Sequence, residues 1–76
     1  MELPQGYSDP AIEEILKIAH KDVEEEYGAF EVPSSVRREI FEKCKDAAKE
    51  YHSQIAYESA KSEMISFLTR GFLSVG

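Results

Sequence analysis

Apolar residues recur at steps of three and four along two stretches of this chain, and those stretches define its elements. In the first, Ile12, Ile15, Leu16, Ala19, Val23 and Tyr27 fall on one stripe. Ile18 lies beside it, and Glu13, Glu14, Lys17, Lys21, Glu24 and Glu25 cover the other sides. The start is marked by Ser8-Asp9-Pro10. Ser8 or Asp9 can accept from the open amides of a first turn, where the missing N–H of Pro10 costs nothing. Gly28 follows Tyr27 and suits a left-handed C-cap. The pattern predicts a helix over 9–27. Before it, 1–8 reads as an irregular lead-in whose Leu3 and Tyr7 either fray or fold back on the core.

The second stretch, Val36 to Leu68, contains neither Pro nor Gly. Val36, Ile40, Cys44, Ala47, Tyr51 and Ile55 make a stripe, flanked by Phe41 and Ala48. Beyond Ile55 the apolar positions become Tyr57, Ala60, Met64, Phe67 and Leu68. At ~100° per residue this set is turned by roughly a third of a turn from the first. The region 34–70 is therefore either one helix facing two partners or two segments bent or broken near residues 52–56. Gly71 is expected to end it, leaving 71–76 as an apolar tail. Between the stretches, Phe30 and Val32 are too apolar for a solvated loop and are expected to pack under the helix junction. Pro33 forces Val32 into an extended conformation, so Ser34 or Ser35 is the expected N-cap. Arg37 and Arg38 sit in a first turn, where the helix dipole disfavours cations. They are expected to face acids, with the run Glu24–Glu26 as the candidate.

These elements predict a single all-α domain, a two- or three-helix antiparallel bundle. Its core would hold Ile12, Leu16, Val23, Ile40, Cys44, Ala47 and Tyr51. Seventy-six residues give a small core, because chains of this size bury only about 60% of their unfolded surface.

Charge and composition narrow the function. Fifteen acidic residues against nine basic ones give a net charge of −6, which argues against nucleic acid and anionic lipid as partners. No apolar run approaches the ~18 residues of a membrane helix. The acidic beginning Met1-Glu2-Leu3-Pro4 lacks the apolar segment of a secretory signal. A cytoplasmic protein is the expectation. The single Cys44 precludes an internal disulfide, a four-cysteine zinc site and a C-x-x-C pair.

No catalytic, metal or cofactor residues are assigned. His20 and Glu24 are four apart, but neither H-E-x-x-H nor Glu-x-x-His is present. Cys44 lies on the apolar stripe, where a thiol acts as a small hydrophobe. No serine sits in G-x-S-x-G, and no glycine-rich phosphate loop exists. The acidic block Glu24-Glu25-Glu26, with Asp22 and Glu31, reads as a solvated face or as a mimic of a phosphate backbone. The small residues Ala56, Ser59, Ala60, Ser62 and Ser66 permit close helix approach. Beside them, Tyr57, Ala60, Met64, Phe67, Leu68 and Phe72 form the expected partner-binding surface. The competing reading is intramolecular, with this segment completing a three-helix core.

The order of features also resembles the later helices of regulator of G-protein signalling domains. It runs from a helix ending Glu24-Glu25-Glu26-Tyr27, through the link Ala29-Phe30-Glu31-Val32-Pro33-Ser34-Ser35-Val36-Arg37, to Tyr57-Glu58-Ser59-Ala60-Lys61. It ends at Phe67-Leu68 and Gly71-Phe72-Leu73-Ser74. The pieces span most of residues 19–74 in short, gapped matches and cover about half of such a domain. The family's G-protein-contacting Asn falls at Pro33, and its acidic residue before the Arg-Phe-Leu segment has no counterpart after Leu68. The resemblance therefore implies a scaffold or interaction role more than GTPase activation. The expected function is a non-catalytic protein–protein interaction module or small regulator that binds a protein partner or itself, as a homodimer. An RGS-like fragment and an acidic inhibitor of a basic protein groove are the alternatives.

Overall fold

The computed structural model describes the backbone of residues 3–75 and the side chains of residues 3–70. Three helices follow in order: α1 (Asp9–Tyr27), α2 (Ser34–Glu50) and α3 (Ser53–Val75). No strand occurs among the described residues.

Each helix end has a local cause. Ser8 is extended and its hydroxyl accepts from the Ala11 amide at 3.4 Å, which caps α1 as its sequence predicts. At the other end Gly28 takes φ 93, a region open to glycine, while its amide still bonds the Glu24 carbonyl at 2.8 Å. The expected serine cap of α2 is not used. Pro33 itself is the N-cap, with φ −58 and ψ 152, and its carbonyl accepts from the Arg37 amide at 2.8 Å. Proline carries no side-chain acceptor, so no side chain caps this end.

The long region is two helices. Tyr51 leaves helical geometry at φ −123, ψ −96, and the His52 carbonyl then opens α3 by accepting from Ala56 N at 3.1 Å. The break falls at 51–52, beside the shift in apolar stripe and without Pro or Gly. Gly71 does not end α3, which runs on to Val75, although glycine costs about 1 kcal/mol relative to alanine inside a helix.

The core draws on all three helices. Ile12, Ile15, Leu16, Ala19 and Val23 of α1 meet Ile40, Cys44 and Ala48 of α2, and Ala56, Ala60 and Met64 of α3. Phe30 and Val32 pack against this cluster from the link, as expected of residues too apolar for a free loop. On α2 the buried line runs Ile40, Cys44, Ala48, a step of four. Ala47 is therefore only half-buried, and Tyr51, placed in the core by periodicity, is 67% exposed. Ile55, the last member of the same expected stripe, is 37% exposed. Both corrections have one cause: the helix that would have carried the stripe onward stops at Glu50.

α2 and α3 form an antiparallel hairpin. The Cys44 thiol reaches the Ala56 carbonyl at 3.5 Å, Lys43 pairs with Glu63, and Val36 shares a groove with Phe67. α1 meets α2 in opposite order, Asp9 with Lys45 and Glu13 with Arg37. It also meets α3 in opposite order, Asp22 with Tyr57, and Leu16 beside Met64 in one cavity wall. Three helices with parallel axes cannot all be mutually antiparallel, so α1 lies obliquely across the hairpin.

These burials predict a contrast. Ile15→Ala, at a fully buried position, is expected to cost about 2–5 kcal/mol. Tyr51→Ala is expected to stay within about 0.5 kcal/mol. Chemical denaturation of the two variants checks it, and a Tyr51 loss equal to that of Ile15 would contradict the packing described.

Candidate functional site

The residues expected to bind a partner do not share one surface. Ala60 and Met64 are 0% and 4% exposed, because they form the α3 side of the core. Both are covered by this chain's own helices, which is the intramolecular reading of the segment. Leu68 is half-buried and packs against that core. Phe72 lies outside the residues whose side chains are described. Of the small residues, Ala56 and Ala60 face inward, Ser59 is half-buried, and Ser62 and Ser66 are exposed.

Tyr57 is half-buried for a reason its sequence neighbourhood does not reveal. Its hydroxyl donates a short hydrogen bond to the carboxylate of Asp22 on α1. That bond is lost when the phenol ionises next to a carboxylate. The pairing therefore raises the Tyr57 pKa from 10.0 to about 12, with burial and the nearby charges of Asp22, Glu26 and Glu58 adding to it. The Lys61 ammonium stands 5.9 Å over the same ring. Tyr57 is thus a strut between α1 and α3.

Phe67 is different. It is half-buried on one side of a groove between α2 and the later part of α3, with Val36 and Ile40 opposite. The groove encloses about 430 Å³, and Glu39, Lys43, Glu63 and Arg70 line its rim. Within the rim, Lys43 and Glu63 pair at 3.1 Å.

A second cavity, of about 310 Å³, was not legible in the sequence. It lies where α1, the link, α2 and α3 meet, with Leu16, Val32, Ile40 and Met64 among its walls. Its position depends on His20. The His20 ring stacks on Phe30 with centroids 4.3 Å apart and planes 11° apart. Nε2 of His20 also lies 3.1 Å from the Phe30 carbonyl and 3.5 Å from the Glu24 carboxylate. His20 therefore folds the link back along α1. The two residues are ten apart in sequence, and no periodicity connects a helical histidine with a loop phenylalanine. The only signal was that Phe30 is too apolar for a free loop.

Charged groups also tie the helices. Arg37 donates through both terminal nitrogens to Glu13, at 2.9 and 3.4 Å. This hydrogen bond holds the Glu13 carboxyl below, and the Arg37 guanidinium above, its ordinary value. Of the two arginines expected to face acids, Arg37 does, but its partner is Glu13 and not the run Glu24–Glu26, and Arg38 enters no ion pair among the described residues. The link returns along α1, and α2 therefore starts beside the first half of that helix. Lys45 bonds Asp9 at 2.9 Å, which raises the lysine pKa. Both pairs are well exposed, so each fixes orientation more than it adds stability.

Cys44 is fully buried, and its thiol donates to the Ala56 carbonyl. Burial pushes its pKa from 9.0 to about 11. A nucleophilic cysteine requires the opposite, an accessible and stabilised thiolate. Among the described residues, no three His, Cys, Asp or Glu side chains converge as a metal site would need. No helix among them is long and apolar enough to cross a membrane. No family model, no curated protein and no solved structure matches the chain. The resemblance to regulator of G-protein signalling domains thus rests on its quoted residues alone.

The two raised values set an alkaline limit. The folded chain keeps the Cys44 proton up to about pH 11, whereas an unperturbed thiol releases it near 9.0. The contribution is complete below 9.0 and is lost as pH rises through 11, because the unfolded state then binds fewer protons. The stability difference between wild type and Cys44→Ala is therefore expected to shrink from neutral pH to pH 11. Denaturant titrations at several pH values measure this, and a constant difference would contradict it. Separately, Tyr57→Phe at neutral pH should cost about 1 kcal/mol, the scale of one partly exposed hydrogen bond. The same titrations test that cost, and an unchanged stability would contradict the strut.

Proposed function

We propose that this chain is a non-catalytic helical interaction module that associates with a second copy of itself through the groove bordered by Phe67. One observation carries the reading. Val36 and Phe67, both half-buried, border a groove between α2 and α3 that reaches down to the buried Ile40, and acids and bases both line it. A two-fold contact places the same patch on both copies, so a surface must complement itself. The Lys43–Glu63 pair of each copy, closed at 3.1 Å within its own chain, then faces its counterpart across the contact, with Phe67 packed at the centre. The non-catalytic part is supported by Cys44, whose thiol is shielded, and by His20, whose ring is engaged by Phe30 and Glu24.

Of the surface expected from the sequence, Tyr57 ties α1 to α3 and Leu68 packs against the core. Ala60 and Met64 serve the fold, so Phe67 is the residue to test. Sedimentation velocity over a range of protein concentrations is expected to find a reversible dimer for the wild type. Phe67→Glu is expected to be monomeric with unchanged helicity by circular dichroism. A wild type that stays monomeric at every concentration, or a Phe67→Glu variant that dimerises equally well, would overturn the proposal.

A further inference from the structure

The cavity at the junction of α1, the link, α2 and α3 combines two features that call for a ligand. Its floor is apolar, made by Leu16, Val32, Ile40 and Met64. On the α1 side its mouth carries two lysines, Lys17 and Lys21, one turn apart, with Glu24 a further turn along. Arg37 also reaches the rim, but it is held by Glu13. Lys17 and Lys21 enter no ion pair among the described residues, whereas Lys43 and Lys45 each hold a carboxylate. This occurs in a chain with 15 acidic side chains for nine basic ones. Two acids share the rim, Glu24 and Glu31. Glu24 is turned towards His20 at 3.5 Å, and Glu31 enters from the link rather than from α1.

From this juxtaposition we propose that the cavity binds a small amphipathic carboxylate. Its apolar tail would lie on Leu16, Val32, Ile40 and Met64, and its carboxylate between Lys17 and Lys21. The volume sets the size. At about 30 Å³ per water-sized unit, roughly 310 Å³ accommodates about ten non-hydrogen atoms, which is a medium-chain fatty acid or an arylalkanoic acid. A ligand so small in an open site binds in the millimolar range. The ionic half of the contact weakens with added salt. The two sites share Ile40 alone, whereas Lys17 and Lys21 border only this cavity and Phe67 only the groove, so failure of octanoate binding and failure of self-association are distinguishable.

The test is a titration of the full chain with sodium octanoate, followed by amide chemical shifts. Saturable shifts are expected to concentrate at residues 16–24, 31–37, 40 and 64. Octylammonium, with the same tail and opposite charge, is expected to bind more weakly. Lys17→Glu/Lys21→Glu alters two exposed positions and is expected to weaken octanoate about tenfold, the loss of two exposed ionic contacts. Arg38→Glu/Lys49→Glu makes the same change in net charge away from the cavity and is expected to leave affinity within about twofold. Circular dichroism checks that both variants are folded. Shifts that are absent or scattered, equal or tighter binding of octylammonium, or equal weakening by the distant pair would each overturn the proposal.

Discussion

The close approach of α3 to the other two helices is the constraint on which this fold depends. Ala56 and Ala60 are both fully buried and stand four residues apart on its inner face. They leave room for the bulky side of the core, Ile12, Ile15, Leu16 and Val23 on α1 and Ile40 on α2. The approach is tight enough for the Cys44 thiol to reach the backbone carbonyl of Ala56. Large side chains on α1 and α2 facing small ones on α3 let a chain of 76 residues close its core although, among the described residues, none of the buried ones of α3, Ser53, Ala56, Ala60 and Met64, is branched. The rest of the arrangement follows. With α3 drawn into the hairpin, α1 must cover both helices at once, and it does so by crossing them obliquely.

The link is the second device. The six residues between α1 and α2 return along α1. The stacked His20 and Phe30 rings hold them there, and Val32 joins the core edge. That return sets where α2 begins, and so places Arg37 beside Glu13. It also roofs the cavity lined by Leu16, Ile40 and Met64. Fold and candidate ligand site are therefore products of the same turn of chain.

Much of the fold was legible in the amino-acid sequence, and the reasons differ by element. α1 could be read from Ser8-Asp9-Pro10 to Gly28, because local cap chemistry and a regular stripe agree there. The division of 34–70 was visible as a change of stripe, but its position was not fixed, since no Pro or Gly marks 51–52. Tyr51 was misplaced because periodicity carries no information past the end of the helix that generates it. Ala60 and Met64 were legible as an apolar face, whereas the choice between core and interface depends on whether α3 folds back, which is a tertiary fact. The cavity was not legible at all. Its walls come from four separated stretches, and the contact that assembles them, His20 on Phe30, is one aromatic pair without a sequence pattern.

The close-packed α3 face is tested most directly by comparing Ala60→Leu with Ser62→Leu in chemical denaturation, with the wild type as reference. The two substitutions add the same side chain two residues apart, one at a fully buried position and one at an exposed position. Overpacking at Ala60 is expected to lower stability by about 1–3 kcal/mol or more. The change at Ser62 is expected to remain within about 0.5 kcal/mol. Equal stabilities for the two variants would contradict the account, because they would mean that α3 does not lie against α1 and α2 through its alanines.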